Sequence, residues 1–318
     1  MKYTIDPGRR TTPIMFIDNL VYSHVHDLED HPLDLTVSIT AAMGNSELAA
    51  LRGLKVPKEE LQKIKPHPVM IWFNGAGWHG ADKNMQLPCF TYLAEAGFAV
   101  VCCYYRSSSQ GHFPDQIIDA RTAVRWVRAN AEKYHFDPDH IGVFGRSAGG
   151  QLAALVGTND GRYISEEYSE YSSDVQFVID MFGPVDLRKM AEEHLEAFAR
   201  GEKNPFGWTS WQQTHEGMVL GGPEETLLER AQQFSPTWNI SDHQAPILIM
   251  HGDADPLVEL SMSADYYERL CEHGYEDQTD FYVLKHAGHG TPEFFQEETR
   301  AIMLKHARKY LMPGKERL

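Results

Sequence analysis

The stretch IGVFGRSAGGQLAALVG, residues 141–157, is a short apolar run joined to a helix-forming segment, with Ser147 at the join and a glycine two positions away on either side. In a tight strand-to-helix turn, side chains at those two positions would collide with neighbouring backbone, so Gly145 and Gly149 predict a sharp turn that exposes the Ser147 hydroxyl. The turn also sets a helix N-terminus, with unpaired N–H groups and partial positive charge, beside that oxygen. A glycine-rich connection with an N-capping serine has the same five-residue pattern, so the pattern alone leaves both readings open.

A serine is a poor nucleophile at neutral pH and needs a base, whose tautomer and positive form need a carboxylate. Both stand downstream: PILIMHGDADPLV (246–258) puts Asp253 and Asp255 in a turn after an apolar run, and FYVLKHAGHGT (281–291) puts His286 and His289 after the last such run. The order Ser, Asp, His along the chain is the one a strand-turn-helix nucleophile requires. Pro256 stiffens the loop beyond Asp255, whereas Asp253 follows Gly252 and is expected to bond the amides of its own turn. His289 lies between two glycines in a loop able to carry an imidazole over a sheet edge, whereas His286 continues directly from the strand. Asp255 and His289 are therefore the expected acid and base. An oxyanion hole, each donor of which is worth roughly 3–4 kcal/mol, would use the amide of Ala148 and those of Ala76 and Gly77 in NGAGWHGADKN (74–84).

Further apolar runs at 69–73, 99–105, 141–145, 175–182, 246–252 and 280–285 are too continuous for half-exposed strands and predict a largely parallel, buried sheet. Helical patterns alternate with them: 114–134, with Ile117, Ala120, Val124 and Val127 on one face, a second from Ser147, a third over 260–271 and a last over 292–310. The expectation is one doubly wound α/β domain over 1–318, with ligand sites at the carboxyl ends of its strands. Residues 1–65 predict an antiparallel edge, containing LDLTVSIT (33–40) and a charged helix near 58–63, and residues 187–240 an insertion that caps the site.

Lys and Arg total 29 against 45 for Asp and Glu, a net charge of −16, which repels phosphate backbones and anionic lipids; neither nucleic acid nor a membrane is expected as a partner. MKYTIDPGRRTTPIMF (1–16) has polar, Gly and Pro residues where a secretory leader needs an apolar run, and no segment approaches the roughly 20 apolar residues of a membrane span. A soluble, cytoplasmic protein is expected, in keeping with reduced thiols at Cys89, Cys102, Cys103 and Cys271, none in a C-x-x-C pair. His24 and His26 come nearest to a ligand pair, but scattered surface histidine explains them, and no metal is expected.

The motifs NGAGW, GRSAGG, GPVDL (183–187), HGDADPLV and HAGHG together resemble the α/β-hydrolase fold, and within it the carboxylesterases and acetylesterases of the hormone-sensitive-lipase-like and feruloyl or acetyl-xylan esterase-like groups, over about residues 66–312. That resemblance implies Ser147 as nucleophile, Asp255 as acid, His289 as base and Ala76, Gly77 and Ala148 as oxyanion donors. Three positions depart from the pattern. Asn74 and Ala76 replace the first histidine and middle glycine of the usual H-G-G-G loop, and Arg146 stands where relatives often carry an acidic residue.

These expectations describe a serine esterase acting on a small-molecule acetyl or aryl ester, of a carbohydrate or small metabolite, without a cofactor. Trp78, Trp208 and Trp211, with Phe206, would line an acyl pocket or stack on a sugar; equally, they would hold the cap against the core. An arylformamidase-like amide hydrolase and a non-catalytic binding protein of the same fold are the alternatives. Oligomeric state is not legible.

Overall fold

Residues 1–5 and 11–313 are described by the computed structural model. In chain order the elements are β1 Ile14–His26, β2 Pro32–Ala42, α1 Asn45–Leu51, α2 Lys58–Leu61, β3 His67–Phe73, α3 Thr91–Glu95, β4 Ala99–Cys103, α4 Asp115–Ala129, α5 Ala131–Tyr134, β5 Phe136–Arg146, α6 Ala148–Val156, β6 Phe177–Met181, α7 Leu187–Ala199, α8 His215–Leu220, α9 Leu227–Gln233, β7 Ile247–Gly252, α10 Leu260–Glu272, β8 Thr279–Leu284 and α11 Glu297–Leu311. The strands form one sheet in the order β1-β2-β4-β3-β5-β6-β7-β8. From β4 to β8 neighbours run parallel, while β1 and β2 complete an antiparallel edge. This is the α/β-hydrolase fold.

Strand parity builds the core. Val69, Ile71 and Phe73 of β3 face one side with Ile117 and Val124 of α4 and Leu152 of α6. Met70 and Trp72 face the other, with Leu93 of α3 and Met303 and Leu311 of α11. Each such side chain contributes roughly 1.5–3 kcal/mol on burial, and it is this two-sided cover that makes the strands read as unbroken apolar runs. The same alternation sends Cys102 and Cys103 to opposite faces of β4, and all four cysteines are free thiols.

Several predicted elements differ in detail. The 114–134 pattern divides at Asn130 into α4 and α5, and Pro292–Phe295 is a 3₁₀ turn ahead of α11. The pattern at 14–26 does not alternate cleanly because β1 slips register against β2 between Ile17 and Leu20 and again between Val21 and Ser23, each slip moving the apolar residues to the other face. His24 Nδ1 lies 2.7 Å from Asp34 Oδ1 across that pairing. Between β6 and β7, residues 187–240 fold into α7, α8, α9 and short 3₁₀ turns. No helix among the described residues is long and apolar enough to cross a membrane.

Candidate active site

β5 ends at Arg146 and α6 begins at Ala148, so Ser147 alone makes the corner, at φ 51° and ψ −128°. A non-glycine residue held there costs on the order of 1–3 kcal/mol. The corner is enforced from both sides: a Cβ on Gly145 would come within 2.1 Å of the Gly149 carbonyl oxygen, and one on Gly149 within 2.1 Å of that of Phe73. Both partners are backbone and cannot swing away. Gly149→Ala is therefore expected to destabilise the protein by about 3 kcal/mol, the upper end of the usual cost of overpacking, measured as a fall of several degrees in Tm; a variant with wild-type Tm would contradict this packing. Ser147 N donates to Met181 O at 2.8 Å, locking the corner to β6.

Although Ser147 holds the N-cap position of α6, its hydroxyl makes no capping bond. Instead Oγ lies 2.9 Å from His289 Nε2, and His289 Nδ1 lies 2.8 Å from Asp255 Oδ2. Asp255 has no exposed side-chain surface, and its Oδ1 accepts from the amides of Leu257 and Val258 at 2.9 and 3.0 Å. Burial alone would raise this carboxyl, but hydrogen bonds from His251, His289 and Val258 N outweigh it and hold Asp255 well below the usual carboxylate range. It is a permanent anion at neutral pH, suited to orient an imidazole and stabilise its protonated form.

The neighbouring candidates take other roles. Asp253 does not bond its own turn: its Oδ1 accepts from His286 N at 2.6 Å and so ties the loop after β7 to the loop that carries His289, while Asp255 takes the turn amides. His286 is exposed. One buried contact was missed from sequence. His251 Nε2 sits 3.0 Å from Val258 O and 3.4 Å from Asp255 Oδ2, with Nδ1 2.7 Å from Ser263 Oγ. Its only mark in the sequence is its place as the next-to-last residue of an apolar strand, where parity turns it inward.

The loop 74–84 lies against the corner: a Cβ on Gly75 would be 3.0 Å from Ser147 Cβ. Ala76, Gly77 and Trp78 all have positive φ, at 83°, 57° and 59°. The amides of Ala76, Gly77 and Ala148 have no protein acceptor among the described residues, and all three residues border the cavity over Ser147. Two of the positions that depart from the family pattern, Asn74 and Arg146, meet here. Arg146 Nε donates to Asn74 Oδ1 at 3.3 Å, the same oxygen accepts from Gly75 N at 2.9 Å, and Asn74 Nδ2 donates to Asp82 O at 3.0 Å. An arginine–asparagine contact thus tethers the loop to the residue preceding the serine.

That cavity measures about 420 Å³ and is walled on one side by residues of the 187–240 segment, among them His194, Phe206, Trp208, His215 and Glu216. Of the three tryptophans expected at substrate, Trp208 borders it, stacked on Phe206 at 4.3 Å and 17°. Trp78 is corrected in part: the residue borders the cavity, but its ring is buried, with Nε1 3.3 Å from Gln151 Oε1. Trp211 is corrected outright. It is buried, donates to Glu224 Oε2 at 2.9 Å and borders a separate pocket, because the helical turn at 211–213 points its ring into the segment's own packing.

The BD-FAE family model matches residues 54–270. The chain is 29% identical over 207 residues to the probable carboxylic ester hydrolase LipM and 28% identical over 240 residues to esterase LipC, both of Mycobacterium tuberculosis, with 64% and 74% of this chain and 44% and 56% of those proteins covered. It thus spans about half the length of these relatives. Among solved structures, a truncated form of a carbohydrate esterase from gut microbiota superposes with a TM-score of 0.69 at 26% identity, covering 96% of this chain and 99% of that one. An esterase from the planctomycete Thermogutta terrifontis superposes at 0.67 and 22% identity over 98% and 96%, a likeness of fold.

Proposed function

The chain belongs to the BD-FAE family of α/β-hydrolase carboxylesterases, and from this membership and the geometry around Ser147 we propose that it is a serine carboxylic-ester hydrolase, working through an acyl-enzyme on acetyl and other short-chain or aryl esters of carbohydrates or small metabolites. The observation that carries the reading is the unbroken hydrogen-bonded line from Ser147 Oγ through His289 to the buried Asp255.

His289 Nε2 takes the hydroxyl proton as Oγ attacks the ester carbonyl, and Asp255 stabilises the imidazolium that forms. Negative charge growing on the carbonyl oxygen is met by the amides of Ala76, Gly77 and Ala148, which need no reorganisation. His289 then returns the proton to the departing alcohol, and water, deprotonated by the same imidazole, releases the acid. Short acyl chains are favoured by a cavity of about 420 Å³ shared between acyl and alcohol portions. Support for a carbohydrate alcohol comes from the stacked Phe206–Trp208 pair on the wall and from the carbohydrate esterase among the structural relatives.

An ester panel tests this. On p-nitrophenyl esters from acetyl to dodecanoyl, kcat/KM is expected to be highest at two to four carbons and to fall at least about tenfold by the longest chain, the cost of roughly two unburied methylenes. Acetylated xylo-oligosaccharides are expected to release acetate. Turnover of formyl-kynurenine and of no ester would overturn the reading.

A further inference from the structure

Above the oxyanion loop lies a second line of hydrogen bonds that the ester chemistry does not use. His215 is the first residue of α8, and its position is fixed by Thr214, whose Oγ1 caps the helix by accepting from Gly217 N at 3.0 Å. The ring rests on the loop itself: a Cβ on Gly77 would come within 2.7 Å of His215 Nδ1. Trp208 meets it edge-on at 4.8 Å and Phe206 at 5.4 Å. Behind it, His79 Nε2 lies 2.6 Å from His215 Nδ1, and Ser108 Oγ lies 3.2 Å from His79 Nδ1.

Two neutral imidazoles in contact share one proton, so the direction of this line is set at its far end. With no other protein acceptor among the described residues, the Ser108 hydroxyl is placed to donate to His79 Nδ1. His79 then carries its proton on Nε2 and donates to His215 Nδ1, which leaves the His215 proton on Nε2. That nitrogen has no protein partner among the described residues, and His215 lines the cavity with Ser147. Burial lowers the pKa of both imidazoles, which favours their neutral forms.

We propose that His215 is a substrate-binding residue whose Nε2–H, fixed by the Ser108–His79 line, donates to an oxygen in the alcohol portion of the ester, so that the site selects alcohols bearing oxygen atoms beyond the reacting one. The proposal rests on the esterase reading. Nearby, His194 Nδ1 and Glu216 Oε1 pair at 2.6 Å on the same wall.

Butyl acetate and 2-methoxyethyl acetate differ by one CH₂ replaced with an ether oxygen and separate the two claims. Wild-type enzyme is expected to prefer the ether about tenfold in kcat/KM, the worth of one hydrogen bond, mostly through KM. In His215→Phe the preference falls to near unity. His79→Leu, which releases the tautomer without touching the cavity, lowers it roughly threefold, and His79→Gln, which can still donate to His215 Nδ1, restores it. An equal preference in wild type and His215→Phe overturns the proposal while leaving the esterase reading intact; failure of wild type on every ester overturns the esterase reading. Nitrogen-15 NMR of histidine-labelled protein decides independently of turnover and of the variants' folding: a proton on Nε2 of His215 is expected, and one on Nδ1 overturns the proposal.

Discussion

Replacing Ser147 with alanine is expected to lower kcat on p-nitrophenyl acetate by about 10⁴- to 10⁶-fold, the range seen when a serine hydrolase loses its nucleophile. The reason is local. Oγ is the one group at the corner that both meets His289 and lies beside the unpaired amides of Ala76, Gly77 and Ala148. Its removal leaves the corner in place, because Gly145, Gly149 and the Ser147 N to Met181 O bond hold it. Far-UV circular dichroism and Tm are therefore expected to stay at wild-type values. A variant that keeps more than a hundredth of the activity would remove the nucleophile from the account.

The second large effect is expected at Asp255. In Asp255→Asn the amide keeps the shape of the carboxylate but sets a donor against His289 Nδ1–H, so the ring turns its proton towards Ser147 and loses its power as a base. A fall in kcat of about 10⁴-fold is expected, with KM within a few-fold. The same change alters stability with a definite sign. Because hydrogen bonds hold the Asp255 carboxyl below its ordinary range in the folded protein, the charged form stabilises the fold at neutral pH. That contribution begins to fade as pH drops below about 4 and is lost on passing the folded-state pKa. Thermal melts at stepped pH would show a shallower acid decline in the variant than in wild type, and parallel declines would contradict the assignment of the shift to the folded state.

The sheet was readable because its central strands are covered on both faces and so appear as unbroken apolar runs, as at Val69–Phe73 and Ile247–Met250. β1 was not, since its two register slips scramble the alternation by which a half-covered strand is recognised. Ser147, Asp255 and His289 could be picked out because each stands in the turn or loop after a strand, which places them on the same edge whatever the exact geometry. Contacts set by how loops and inserted helices settle left no such trace. His251 against Asp255, Arg146 against Asn74, and His79 against His215 join residues 4, 72 and 136 positions apart, and only the folded chain makes them neighbours. Trp211 shows the converse: an aromatic in the right segment reads like a substrate contact, but a single 3₁₀ turn aims it elsewhere.

The most direct measurement of the central claim is covalent. Incubation with a fluorophosphonate, followed by intact-protein mass spectrometry and peptide mapping, is expected to show one phosphonyl group per chain, carried by the peptide containing Ser147, and none on Ser147→Ala. A folded wild-type protein that stays unmodified, or one modified at another residue, would contradict the account.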